Sequence, residues 1–122
     1  MKYCKKYKDT HYYLPIFGMN INICFTQEDF KYLCEKYQDY EYTITSWANG
    51  YTLMNSENGE VVIGIFNNSL STVVHEITHL VLFLLELRHI NPNESNGETM
   101  AYIQAWLFDE IVKRMDKHNG KH

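Results

Sequence analysis

The sequence lacks a cysteine framework, a basic stripe and any long apolar run, and each absence removes a class of protein. Its three cysteines, Cys4, Cys24 and Cys34, are an odd number without C-x-x-C spacing, so a reducing compartment is expected and a disulfide scaffold is not. Cys24 and Cys34 fall in apolar patterns, as small core fillers do. Lys and Arg number 11 against 15 Asp and Glu, a net charge of −4. A nucleic-acid binder needs a cationic track, and none is present. The one basic cluster, Lys2, Lys5, Lys6 and Lys8, reads as a solvated terminus before it reads as a contact for an acidic partner. The longest apolar run, Leu80 to Leu85, falls far short of the roughly 20 residues of a membrane span. The first apolar stretch is broken by Tyr, Pro and Gly, unlike a signal peptide. The expectation is a cytoplasmic chain that meets neither nucleic acid nor membrane.

What is present suffices for one α+β domain spanning residues 1–122. The chain is 45% apolar and 15% aromatic, enough to bury a core at this length. Tyr12 to Phe17 and Asn20 to Phe25 read as short strands, the second alternating Asn20 and Asn22 with Ile21 and Ile23. Thr26 is a good N-cap for a helix whose first turn carries Glu28 and Asp29 and whose apolar face is Phe30, Leu33, Cys34 and Tyr37. Tyr42 to Trp47 and Tyr51 to Met54 suggest a strand pair turning at Ala48-Asn49-Gly50. Asn58-Gly59 makes a further turn into Glu60–Phe66, a strand apolar on both faces. Asn67 to Ser71 offers several N-caps for a helix running to Leu87 or His89. After the break Asn91-Pro92-Asn93-Glu94-Ser95-Asn96-Gly97, a second apolar-periodic stretch runs from Glu98 to about Lys117.

The first of these two helices carries His75-Glu76-Ile77-Thr78-His79, an H-E-x-x-H run. Four residues is about one helical turn, so His75 and His79 project from one face and can share a metal ion. Glu76 sits about 100° round the helix, where a carboxylate can act on a water activated by the metal instead of ligating it. Chance placement of this chain's histidines and glutamates would give the run roughly 0.02 times. A third ligand is needed. A metzincin would have Gly at 82 and His at 85, but Leu82 and Leu85 stand there. Glu86 faces the same way as His79 but lies about 10 Å further along the axis, beyond reach of a shared metal. Glu98, in the first turn of an antiparallel second helix, can point back at the histidines, completing His₂Glu plus water.

On these residues the chain resembles the gluzincin metallopeptidases, whose pattern is H-E-x-x-H followed, after eighteen or nineteen residues, by Glu on the next helix. Eighteen residues separate His79 from Glu98, the spacing of the aminopeptidase-N branch, and Asn96-Gly97-Glu98-Thr99-Met100-Ala101-Tyr102 is similar to that branch's N-E-G-F-A-x-Y. The resemblance covers roughly residues 69 to 109. It extends to the small single-domain minigluzincins and to short H-E-x-x-H proteins of bacterial and phage genomes, so a virion-associated location is the alternative to the cytoplasm. It implies a small zincin-like domain: a twisted mixed sheet, an active-site helix and a following glutamate helix. It also implies Zn²⁺ on His75, His79 and Glu98, and peptide hydrolysis with Glu76 as base. In that architecture the edge strand before the metal helix pairs with an extended peptide or protein substrate, which makes Glu60–Phe66 the candidate, with Gly64 either admitting substrate backbone or marking a bulge in a core strand. No G-x-M-E-N stretch precedes the helix, so aminopeptidase anchoring is not implied, and the downstream oxyanion donor of larger members has no expected counterpart.

Each role has a plainer alternative. Glu76 as general base would face an open, watered groove; otherwise it forms a surface ion pair. Glu98 as ligand competes with a carboxylate favoured at a helix N-terminus. Tyr102, four residues past Glu98 and on its face, either donates to a metal ligand or developing oxyanion or simply packs. Asp109 lies on that face three turns on. Set against zinc-dependent endopeptidase activity is a zinc-stabilised interaction module, such as a phage structural or accessory protein, with weak or no turnover.

Overall fold

The strand that alternates least lies in the middle of the sheet. The computed structural model describes residues 11–14, 19–37, 48–55, 57, 59–91, 93 and 97–120, which fall in two compact units, Met1–Asn67 and Asn68–His122. In the first, β1 (His11–Leu14), β2 (Met19–Cys24), β3 (Gly50–Asn55) and β4 (Glu60–Ile65) form one mixed sheet in the order β1-β2-β4-β3. β4 runs parallel to β2, with Ile21 opposite Val61 and Ile23 opposite Ile63. It runs antiparallel to β3, with Leu53 opposite Val62, while β1 is antiparallel to β2. A strand paired on both sides and covered on both faces offers no side to water, and Val61, Val62, Ile63 and Ile65 are accordingly apolar and buried.

This placement corrects the expectation for residues 60–66. β4 is not an edge strand: its backbone groups are engaged by β2 and β3, so no extended substrate can add to it. Gly64 is explained by neither expected reading. The register runs through it unbroken, with Cys24 on one side and Tyr51 on the other. A Cβ there would lie 2.6 Å from the Phe66 ring and 2.7 Å from that of Phe30. Those two rings meet edge-to-face at 5.7 Å, filling the room a side chain would need.

The turn expected at Asn58-Gly59 is present. Gly59 has φ 71°, and its N–H donates to the Asn55 carbonyl at 3.0 Å. The Asn55 side chain accepts the Glu57 N–H at 3.0 Å, an Asx turn. The expected partner strand Tyr42–Trp47 lies outside the described residues. Gly50 already belongs to β3, and the Asn49 carbonyl accepts the Phe66 N–H at 2.8 Å, extending the β3–β4 ladder.

Helix α1 (Gln27–Tyr37) starts as its sequence dictates: the Thr26 hydroxyl accepts the Asp29 N–H at 3.1 Å. Phe30, Leu33 and Cys34 repeat at helical spacing and pack with Cys24 and Val62 into one core. Burial pushes the Cys34 thiol up to about 12 and raises Cys24 as well, since a thiolate would lose its hydration there. On the sheet, Asn22 is fully buried. Its amide donates to Glu60 at 2.9 Å and to the Val61 carbonyl at 3.0 Å, and the Asn20 amide also reaches Glu60.

The second unit is a helical hairpin of α2 (Leu70–Leu87) and α3 (Glu98–His118). The helices are antiparallel, because Asn68, just before α2, accepts from Asn119, just after α3, at 2.6 Å. α2 stops in a Schellman turn. His89 is left-handed at φ 56°, its N–H reaches the Glu86 carbonyl, and the Ile90 N–H reaches that of Leu85. α3 closes similarly with Gly120 left-handed at φ 77°. Although its longest apolar run is short, α2 as a whole is long and apolar enough to cross a membrane by length and composition, with 44% of it buried. Buried apolar side chains are Val73, Ile77, Leu80, Val81, Leu84 and Leu85 on α2, and Ile103, Leu107, Ile111 and Met115 on α3; Thr72 and Glu76 are also buried on α2.

Candidate metal centre

α2 brings His75 and His79 together as the spacing requires. Their Nε2 atoms lie 3.2 Å apart, and the rings meet edge-on at 4.8 Å between centroids. Two nitrogens each about 2.0–2.1 Å from one tetrahedral zinc ion would be roughly 3.3 Å apart. The separation of the pair is therefore that of two ligands of a single metal ion. Both rings are on the exposed side of α2, His75 with 68% of its side chain accessible, so the site is open to solvent.

Glu76 departs from expectation in one respect. It is 6% exposed, on the buried arc of α2 and not in an open, watered groove. Its carboxylate nonetheless comes within 4.0 Å of His75 Nε2. The glutamate is thus held by its surroundings while one oxygen reaches the edge of the histidine pair. It can accept a proton there, and a buried carboxylate has few rotamers in which to wander. Thr78 is accounted for locally, its hydroxyl donating to the Val74 carbonyl at 2.9 Å.

Glu98 and Tyr102 are not gathered with the histidines. Among the described residues no three of His, Cys, Asp and Glu converge on one point. The reason is rotational. α2 shares a wall with α3 through Val74 and Ile77, which line a groove with Gln104, Ala105, Phe108 and Asp109. His75 and His79 project about 150° round α2 from that wall, so the antiparallel partner lies on the far side of the helix from them. Glu98 opens α3 and is exposed, roughly opposite that helix's buried face of Ile103, Leu107 and Ile111. Tyr102 shares Glu98's face, as its spacing predicts, and is 72% exposed. The turn that was to point Glu98 back at the histidines does not do so in this arrangement.

The α2–α3 groove was not singled out from the sequence. Its signal was present in Ala105, a small residue between the large Trp106 and the half-buried Gln104, but small size alone does not distinguish a groove from ordinary helix packing. No protein-family model matches the chain, and no curated protein or solved structure is similar enough to be matched with it.

Proposed function

We propose that the chain is a zinc-dependent peptide hydrolase in which His75 and His79 hold the metal and Glu76 acts as general base. The observation that carries this reading is the pair of Nε2 atoms 3.2 Å apart with a carboxylate 4.0 Å from one of them, formed by an H-E-x-x-H run on one helix. A bound zinc ion would supply Lewis acidity, lowering the pKa of a water and polarising a peptide carbonyl. His75 and His79 would hold the metal through their Nε2 atoms. Glu76 takes the proton from the attacking water and returns it to the departing amine nitrogen. Its burial favours that role by restricting the rotamers of the carboxylate. Glu98 is proposed as third ligand on the eighteen-residue spacing alone, and Tyr102 as a donor to the oxyanion on its place one turn later. An extended peptide or protein remains the proposed substrate, without the strand pairing along residues 60–66 that the fold rules out.

The test combines metal content with turnover. Purified protein should carry about one zinc per chain, lost in His79→Ala. Glu98→Ala should weaken binding strongly while Glu86→Ala leaves it within a few-fold. Glu76→Gln should keep the metal and reduce cleavage of an unstructured protein at least roughly 10²-fold. Absence of bound transition metal after zinc supplementation would sink the reading, and equal zinc-dependent cleavage by the Glu76→Gln form would remove Glu76 as base.

A second reading is favoured by one observation: the histidines are exposed and no third ligand joins them among the described residues. A zinc-stabilised interaction module would complete the coordination from another molecule. One zinc per two or more chains, or zinc-dependent association with no cleavage, would favour it over hydrolysis.

A further inference from the structure

The groove between α2 and α3 has a chemistry separate from that of the histidine pair. It is an open cavity of about 410 Å³ walled by Val74, Ile77, Gln104, Ala105, Phe108 and Asp109, a size within the range of binding pockets. Four of the six walls are apolar. Asp109 is the one ionisable group, it is exposed, and none of the ion pairs among the described residues includes it. An anion would be repelled there. A neutral apolar occupant would strip water from the carboxylate and return nothing. An apolar stem ending in a cation satisfies both the walls and the acid. The guanidinium suits the site best, being weakly hydrated, able to pair with a carboxylate through two N–H groups, and able to stack on the Phe108 ring.

We infer that this groove docks an arginine side chain presented by a protein partner, with Asp109 as its counter-ion. A protein chain is favoured over a free small molecule because the apolar surface continues past the groove: Val74, 50% exposed, leads one turn back to Leu70, 54% exposed, and flat apolar surface of that kind covers backbone, not a single small solute. The groove opens about 150° round α2 from His75 and His79, so the inference does not depend on metal binding or hydrolysis.

The experiment titrates the isotope-labelled full chain with acetyl-Ala-Arg-Ala-amide and follows backbone amide resonances. A matched peptide with citrulline, the neutral isostere of arginine, serves as control. Shifts should concentrate at Val74, Ile77 and residues 104–109, with a Kd on the order of millimolar for so small a ligand. Citrulline should bind at least about tenfold more weakly, Asp109→Asn should erase that difference, and added salt should narrow it. Ala105→Phe, which fills the groove from an exposed helical position, should abolish the shifts altogether. Equal binding of the two peptides, shifts centred elsewhere, or no shifts at about 20 mM peptide would each overturn the inference.

Discussion

β4 and α2 are both rich in Val, Ile and Leu, yet only β4 is buried along all but its first residue. From Val61 to Ile65 every position of the strand is closed to water, because strands flank it and both faces are covered. α2 divides: Leu80, Leu84 and Leu85 are buried, while Leu82 is about half exposed beside His75 and His79, and Leu70 and Val74 are about half exposed on the side of the groove with α3. An apolar residue on β4 is explained by packing. On the exposed arc of α2 it is not: Val74 lines the groove with α3, Leu70 lies one turn before it, and Leu82 stands beside the histidines.

The largest expected loss follows Leu80→Ala. Leu80 is fully buried, so its truncation should cost about 2–5 kcal/mol in denaturant unfolding; a loss below 1 kcal/mol by the same scale would mean that the inner side of α2 is not packed as described. Gly64→Ala tests β4. Two aromatic rings must yield to the added methyl, and about 1–3 kcal/mol of stability should go, whereas a substrate-admitting glycine would tolerate it. A third test reads the same core through pH. The Cys34 thiol is raised from 9.0 to about 12 in the folded chain, so its neutral form is favoured by folding. That contribution is fully present below pH 9 and is lost as pH rises towards 12. By pH 10 the loss should reach roughly 1 kcal/mol, read as the difference in unfolding midpoint between the unsubstituted chain and Cys34→Ala at pH 8 and pH 10. Identical pH dependence of the two proteins would show that Cys34 is solvated. The smallest effect belongs to Leu82→Ala, within about 0.5 kcal/mol as for other surface positions. A large loss there would show that the outer side of α2 is covered.

Local features were legible in the sequence because local chemistry decides them. Thr26 caps α1 as its hydroxyl demands, Gly59 turns the chain as only glycine does easily, and the four-residue spacing of His75 and His79 sets their nitrogens a ligand separation apart. The position of β4 was legible too: a strand without alternation is one covered on both faces, and that pattern outweighs an analogy that puts it at an edge. Glu98 shows where sequence stops. Eighteen intervening residues fix how far along the chain a carboxylate lies, but not the side of α2 on which α3 settles, and packing through Val74 and Ile77 selects the side away from the histidines. Burial of Glu76 was hidden for a similar reason, since its neighbours come from contacts that no periodicity records.

The parallel pairing of β2 with β4 has a consequence in time. Asn20 meets Glu60 across forty positions of chain, and everything from α1 to the Gly59 turn must be gathered before that ladder closes. Loop closure on that scale is entropically costly and slow, whereas α2 and α3 join through a short connection and β3 and β4 through a tight turn. In refolding, the hairpins should acquire protected amides first, and the β2–β4 seam should be the last part of the sheet to exclude solvent.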